Sequence, residues 1–322
     1  MHVHPESGKM RSMKSTSRCG LLFALCASIS LAPFSAAVAQ QLPAAITTDP
    51  PRDKDFPAIM EAPDIISHGT RLNAVFYLAS GAGPHPVVLL MHGFPGNEQN
   101  MDLAYVIRRA GWNVLVPHYR GSWGSAGPFS FSNAIEDTRA AVEFLRDPEN
   151  AKKYRYDPAK IVAIGHSMGG FLSAYTTAHD PAILGVALIS AWNLGPAAAK
   201  PATDARTKSY HDASTRLAGT TPEGMLAEAK ENSAKWNYVD WAADLKTRPV
   251  LVVESHDGND PDNRALAEAL RKAGDPHVTE VYMETDHGYA DHRIALQIVI
   301  LDWLQTLGVA PANGAGHVAN NN

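Results

Sequence analysis

Three side chains suited to acyl transfer occur in a fixed order along this chain. They are Ser167 in IVAIGHSMGG, Asp257 in PVLVVESHDGND and His287 in VTEVYMETDHGYADH. A serine hydroxyl is a weak nucleophile until a neighbouring base takes its proton, and an imidazole is a competent base only when an acid fixes its tautomer. Gly165, Ser167 and Gly169 form a G-x-S-x-G pattern placed directly after an apolar run and before an amphipathic segment. A strand that turns at once into a helix needs a tight bend with small neighbours, and that bend raises the serine hydroxyl off the sheet toward the positive end of the helix. A serine that merely caps a helix gives a similar string; the strand before it and the helix after it favour the nucleophile.

The partners of such a serine are expected later in the chain, acid before histidine, each past the end of a strand. His287 meets this condition and is the expected base, whereas His292 falls inside the start of the last helical pattern and reads as a surface or capping residue. For the acid, Asp257 before Gly258 is preferred to Asp260, which precedes Pro261 and suits the start of a helix. The negative oxygen of a tetrahedral intermediate needs backbone N–H donors. The expected donors are the amides of Met168, directly after the serine, and Phe94 in HGFPGNE, with His92 and Gly93 shaping that loop. His256, Asp257, His287, Asp291 and His292 also raise the question of a metal, but they lack H-E-x-x-H or comparable ligand spacing. Neither a metal nor a cofactor is expected.

Positioning these groups requires a scaffold, and the hydrophobic pattern supplies one. Short runs rich in Val, Ile and Leu at 72–79, 86–93, 112–121, 160–167, 184–190, 249–255 and 278–284 suit strands buried on both faces. Between them lie helical patterns that stop at Gly111, before Pro148, before Pro181, at Gly274 and at Gly308, where helix stop signals belong. This alternation predicts an α/β fold with a mostly parallel central sheet and helices on both faces. Residues 191–247 break the rhythm: rich in alanine and polar residues, with one clear helical pattern at TPEGMLAEAKENSAKW, they read as a helical cap inserted between late strands. Trp192 and Trp236, on or beside it, are candidates for an apolar acyl pocket or simply for core.

At the start of the chain, Lys9, Arg11, Lys14 and Arg18 precede an apolar stretch from Leu21 that ends in Ala37-Val38-Ala39. Basic region, apolar core and small-residue end read as a signal peptide over 1–39, so a secreted or periplasmic protein is expected, without stable membrane insertion after cleavage. Both cysteines, Cys19 and Cys26, leave with it, and the loss of four basic residues and one acid moves the formal charge from −5 to −8. Disulfides then have no role, and the acidic balance speaks against a nucleic-acid partner. Residues 40–63, rich in Pro, Ala and Asp, read as an extended arm or linker; 64–310 form the catalytic domain and 311–322 a flexible tail.

With these residues in place, the chain resembles the α/β-hydrolase superfamily, and within it the catalytic domain of the prolyl oligopeptidase family and its dienelactone-hydrolase-like and esterase relatives. The resemblance spans about residues 64–307 and is carried by VVLLMHGFPG, PHYRGSWGSAG, DPAKIVAIGHSMGG, HDGND and DHGYADHRIAL. It implies a serine hydrolase acting on a small-molecule ester or short peptide, either a carboxylesterase or a serine peptidase. His118 stands where such peptidases more often carry asparagine, and the chain left after the leader has no room for an N-terminal propeller. The rival from another class is a catalytically silent binding protein on the same fold. Fold similarity does not choose between them.

Overall fold

The computed structural model describes residues 42–309 apart from Ala202. The expected signal peptide and C-terminal tail lie outside the described residues. Ten strands form: β1 Ile59–Glu61, β2 Ile65–Ser67, β3 Thr70–Leu72, β4 Ala74–Leu78, β5 His85–Met91, β6 Asn113–Pro117, β7 Tyr156–His166, β8 Val186–Ile189, β9 Val250–Ser255 and β10 Val278–Met283. Eight make one sheet in the order β1-β4-β6-β5-β7-β8-β9-β10. The pairs from β6 to β10 are all parallel, while β4 runs antiparallel to β6 and β1 antiparallel to β4. β2 and β3 form a separate hairpin.

The central strands are apolar throughout because both of their faces are covered. Along β7, Ile161 and Ala163 enter one core and Val162 and Ile164 the other; in β9, Val250 and Val252 separate from Leu251 and Val253 in the same way. This is the period-two alternation of a strand applied to two apolar environments. The first core also receives α3 Phe131–Arg146, α4 Pro148–Tyr154, α5 Met168–His179 and α10 Asp260–Lys272. The second receives α2 Met101–Arg109 and α11 Arg293–Thr306.

Local signals set the helix ends. Ser130 accepts the Asn133 N–H at the start of α3, and Asp147 accepts those of Glu149 and Asn150 before α4, which has Pro148 in its first turn.

Two differences from the sequence expectation have clear causes. The 40–63 segment is not merely a linker, since it contains the short helix α1 Ala44–Thr47 and the edge strand β1, in register with β4. β1 is three residues long and exposed, too short to show an alternating pattern. The insertion, for which the sequence offers one clear helix, holds α6 Leu194–Ala199, α7 Asp204–Ser214, α8 Pro222–Glu231, a 3-10 turn Tyr238–Trp241 and α9 Ala242–Leu245. Its contacts to the sheet domain are long-range and so have no local sequence signature. Glu228 in α8, for example, accepts the N–H groups of Phe131 and Ser132 at 2.9 and 2.8 Å, capping α3 from 97 residues away in sequence.

Candidate active site

The site lies where β5, β7, β9 and β10 end. Ser167 sits at the bend between β7 and α5 with φ 58° and ψ −120°. For a residue with a Cβ this conformation costs on the order of 1–3 kcal/mol and persists only when its surroundings enforce it. Here they do. A Cβ on Gly165 would fall 2.0 Å from the Gly169 carbonyl oxygen, and one on Gly169 would fall 2.1 Å from that of Met91. The glycines let the bend close against β5. The backbone of Ser167 is pinned on both sides: its N–H donates to Ile189 O at 2.9 Å, and its carbonyl accepts the Trp192 N–H at 2.9 Å. Met168 opens α5, whose first N–H groups have no partner within the helix.

Past the ends of β9 and β10, Asp257 and His287 meet. His287 Nδ1 lies 2.5 Å from Asp257 Oδ2. Asp257 Oδ1 also accepts the Asn259 N–H at 2.8 Å. Burial pushes the Asp257 carboxyl up, yet the hydrogen bonds from His287 and Asn259 outweigh it and hold the group below the usual carboxylate range. The Asp257 side chain is 2% exposed and that of His287 42%, so the acid is sealed while the imidazole keeps an open edge. With Nδ1–H donating to the carboxylate, Nε2 is left as the acceptor.

Asp260 lies elsewhere. It is the first residue of α10 and faces Arg264 at 3.8 Å. His292 stands just before α11, paired with Asp291 at 2.8 Å.

Gly93, in the loop after β5, approaches the serine, and Phe94 follows it; a Cβ on Gly93 would lie 2.9 Å from Ser167 Cβ. The Phe94 ring inserts among Phe129, Phe131, Trp192 and Tyr210, with centroids 5.5–5.8 Å away. Trp192 is thus part of an aromatic cluster beside the serine, whereas Trp236 is buried in the core against Phe131 and Phe171. Among the described residues, no group of three or more His, Cys, Asp or Glu converges as a metal site, and no helix is long and apolar enough to cross a membrane.

Several residues that sequence reasoning did not single out complete the site. His166 is fully buried; its Nε2–H donates to the His287 carbonyl at 2.7 Å, and the two rings lie 4.6 Å apart. Burial, reinforced by the neighbouring His287, lowers its pKa to about 3, so it stays neutral. His287's hydrogen bonds run to Asp257 through its ring and to His166 through its carbonyl; neither reaches Ser167. Asn263 in α10 binds both the N–H and the carbonyl of Ala191 at 3.2 and 3.0 Å, and also the Asn259 carbonyl at 2.8 Å. It ties the acid's turn to the segment that holds Ser167. His166 was detectable, as the immediate neighbour of the serine; Asn263 was not, because its partner Ala191 is 72 residues away.

The family model for the α/β hydrolase fold matches residues 86–245. Over 129 residues the chain is 29% identical to esterase EstD of Thermotoga maritima and 27% identical to acylamino-acid-releasing enzyme 1 of Oryza sativa subsp. japonica. Each match takes in 36% of this chain, but only 29% and 16% of those proteins' lengths. The solved structure of EstE1, a carboxylesterase cloned from a metagenomic library, superposes with a TM-score of 0.58 at 19% identity, covering 81% of this chain and 92% of that one. The eight-stranded, mostly parallel sheet, the family-model match and the superposition on EstE1 together give the chain the α/β-hydrolase fold and a resemblance to esterases built on it.

Proposed function

We propose that the protein is a serine hydrolase that cleaves an ester or amide acyl bond through Ser167, His287 and Asp257. The observation that carries this reading is the sealed Asp257–His287 pair, at 2.5 Å, beside a serine held at positive φ. In this mechanism Ser167 Oγ attacks the acyl carbon and its proton passes to His287 Nε2. The Asp257 carboxylate holds the tautomer and offsets the imidazolium charge. The Phe94 and Met168 amides receive the negative oxygen. His287 then gives the proton to the leaving oxygen or nitrogen as that bond breaks. Water, deprotonated by His287, attacks the acyl-enzyme and releases the acid and Ser167. This mechanism needs substrate binding to bring Ser167 Oγ and His287 Nε2 within hydrogen-bond reach.

Ester cleavage is favoured by the similarity to EstD and EstE1, and amide cleavage is kept as a second reading by the similarity to acylamino-acid-releasing enzyme 1. Export to the periplasm or medium belongs to the same proposal and rests on residues 1–39 alone.

The test is a fluorophosphonate probe on wild type and Ser167→Ala, followed by short-chain nitrophenyl esters against aminoacyl and prolyl nitroanilides, with the N-terminal residue read on the same exported protein. The reading expects labelling and turnover only with Ser167 present, and Gln40 at the N-terminus. Unlabelled, folded wild-type protein overturns the hydrolase in favour of a silent binding protein.

A further inference from the structure

The loop after β6 carries one large apolar side chain into solvent. Trp123 is 44% exposed and adopts φ 47°. A bulky residue in the left-handed region is a backbone outlier that its neighbours must enforce. The enforcement is extensive. Ser125 Oγ accepts the Asn73 N–H at 2.8 Å and donates to the His118 carbonyl at 2.6 Å. Asn73 Nδ2–H donates to the Trp123 carbonyl at 2.8 Å, and Ser122 Oγ donates to Tyr119 O at 2.8 Å. Arg120 anchors the base of the loop on buried Asp137 at 2.7 Å. A rigid frame therefore holds the indole out rather than letting it fold into a core.

The direction in which it is held matters. The indole Nε1–H donates to the Pro95 carbonyl at 3.2 Å, and a Cβ on Gly96 would come within 2.5 Å of Nε1 and 2.7 Å of His92 Nδ1. The ring thus lies on the loop that runs from Gly93, against Ser167, to Gly96. Pro95 also lines an open groove of about 350 Å³ with Asn97 and with Lys208, Asp212 and Arg216 of α7 and its following turn; Trp123 is not part of that lining, so the open space beside the proline is bounded by charged side chains and the indole face stands outside it.

We propose that Trp123 is a specificity-determining residue whose exposed indole face stacks on an aromatic or other planar apolar group of the substrate. This rests on Ser167 being the nucleophile. Stacking on a rigid indole needs little further ordering of the protein, and aromatic pairs gain beyond their buried area. The tether to Pro95 sets the ring's position relative to the oxyanion loop.

Wild type, Trp123→Phe and Trp123→Leu are compared by kcat/KM on ethyl acetate, 1-naphthyl acetate and ethyl 1-naphthylacetate, which place the aryl group nowhere, on the alcohol and on the acyl part. The expected result is a fall of about tenfold in the aryl-to-ethyl acetate preference ratio for Trp123→Leu, expressed mainly in KM, with most of it kept by Trp123→Phe. Whichever aryl ester loses its preference identifies the side of the ester that meets the indole. An unchanged ratio for both aryl esters overturns the proposal, as does an equal loss on all three substrates, which would mark Trp123 as a prop for the loop. If wild type turns over none of the esters and the probe leaves Ser167 unlabelled, it is the hydrolase reading that has failed.

Discussion

The turns after β7 and β9 and the helical insertion at 191–247 are built on different physics. At the turns, backbone sterics and short-range bonds dominate: Gly165 and Gly169 permit contacts that a Cβ would forbid, and Asp257 is fixed by the Asn259 N–H two residues on. In the insertion, short helices without a strand are held by side chains that reach across the chain, such as Tyr210 against Phe94 and Glu228 on the start of α3. The first kind of construction fixes a few atoms through close backbone contacts. The second touches Ser167 only where it begins, through the Trp192 N–H, and the helices beyond are held by side-chain packing that has room to vary.

The sharpest test of this division is at the acid. Asp257→Asn should leave the fold intact and lower kcat by about 10⁴-fold by disturbing the His287 tautomer, whereas Asp260→Asn should stay within about twofold, since its charge faces the half-exposed Arg264. Steady-state kinetics with a matched circular dichroism spectrum would decide. The reverse pattern would move the acid to α10.

A smaller effect is expected from the insertion. Tyr210 is 2% exposed and packs on Phe94 and Trp192, so Tyr210→Ala should lose about 3 kcal/mol of packing locally. Limited proteolysis should then cut first within α7 and its flanks while the sheet core resists. Uniform resistance would mean that the insertion is as firmly built as the turns.

The smallest effect concerns acid stability. Burial lowers the His118 pKa from 6.5 to about 4. As pH falls below 6.5 the unfolded chain takes up a proton that the folded one refuses until about 4, so stability falls over that window. The slope is up to about 1.4 kcal/mol per pH unit for this group. His92 and His166, each lowered to about 3 chiefly by burial, act in the same direction. His118→Asn removes one of the three. Between pH 7 and pH 5 it should lose about 2 kcal/mol less than wild type in urea unfolding; parallel losses would show that His118 is not held neutral in the fold.

Much of this was legible in the chain because it is local. The strand runs, the helix stops and the glycine-bracketed Ser167 each reflect forces acting within about ten residues, and the α/β alternation follows from them. The edge strand β1 was hidden because its three residues are exposed and take their register from β4. In the insertion, four of five helical elements were hidden because they gain their stability from distant aromatic and carboxylate partners.

By itself, the sequence determined which residue types were available for acyl chemistry and in what order they occur, because the elbow's requirement for small neighbours is written in consecutive positions. Only the tertiary structure placed Asp257, and not Asp260, against His287. The two carboxylates are three residues apart, and the choice depends on which one the end of β9 aims at an imidazole arriving from beyond β10. The tertiary structure also made His166 and Asn263 part of the site and left Trp123 in solvent, for the same reason: contacts between segments far apart in the chain form only when the sheet brings their ends together.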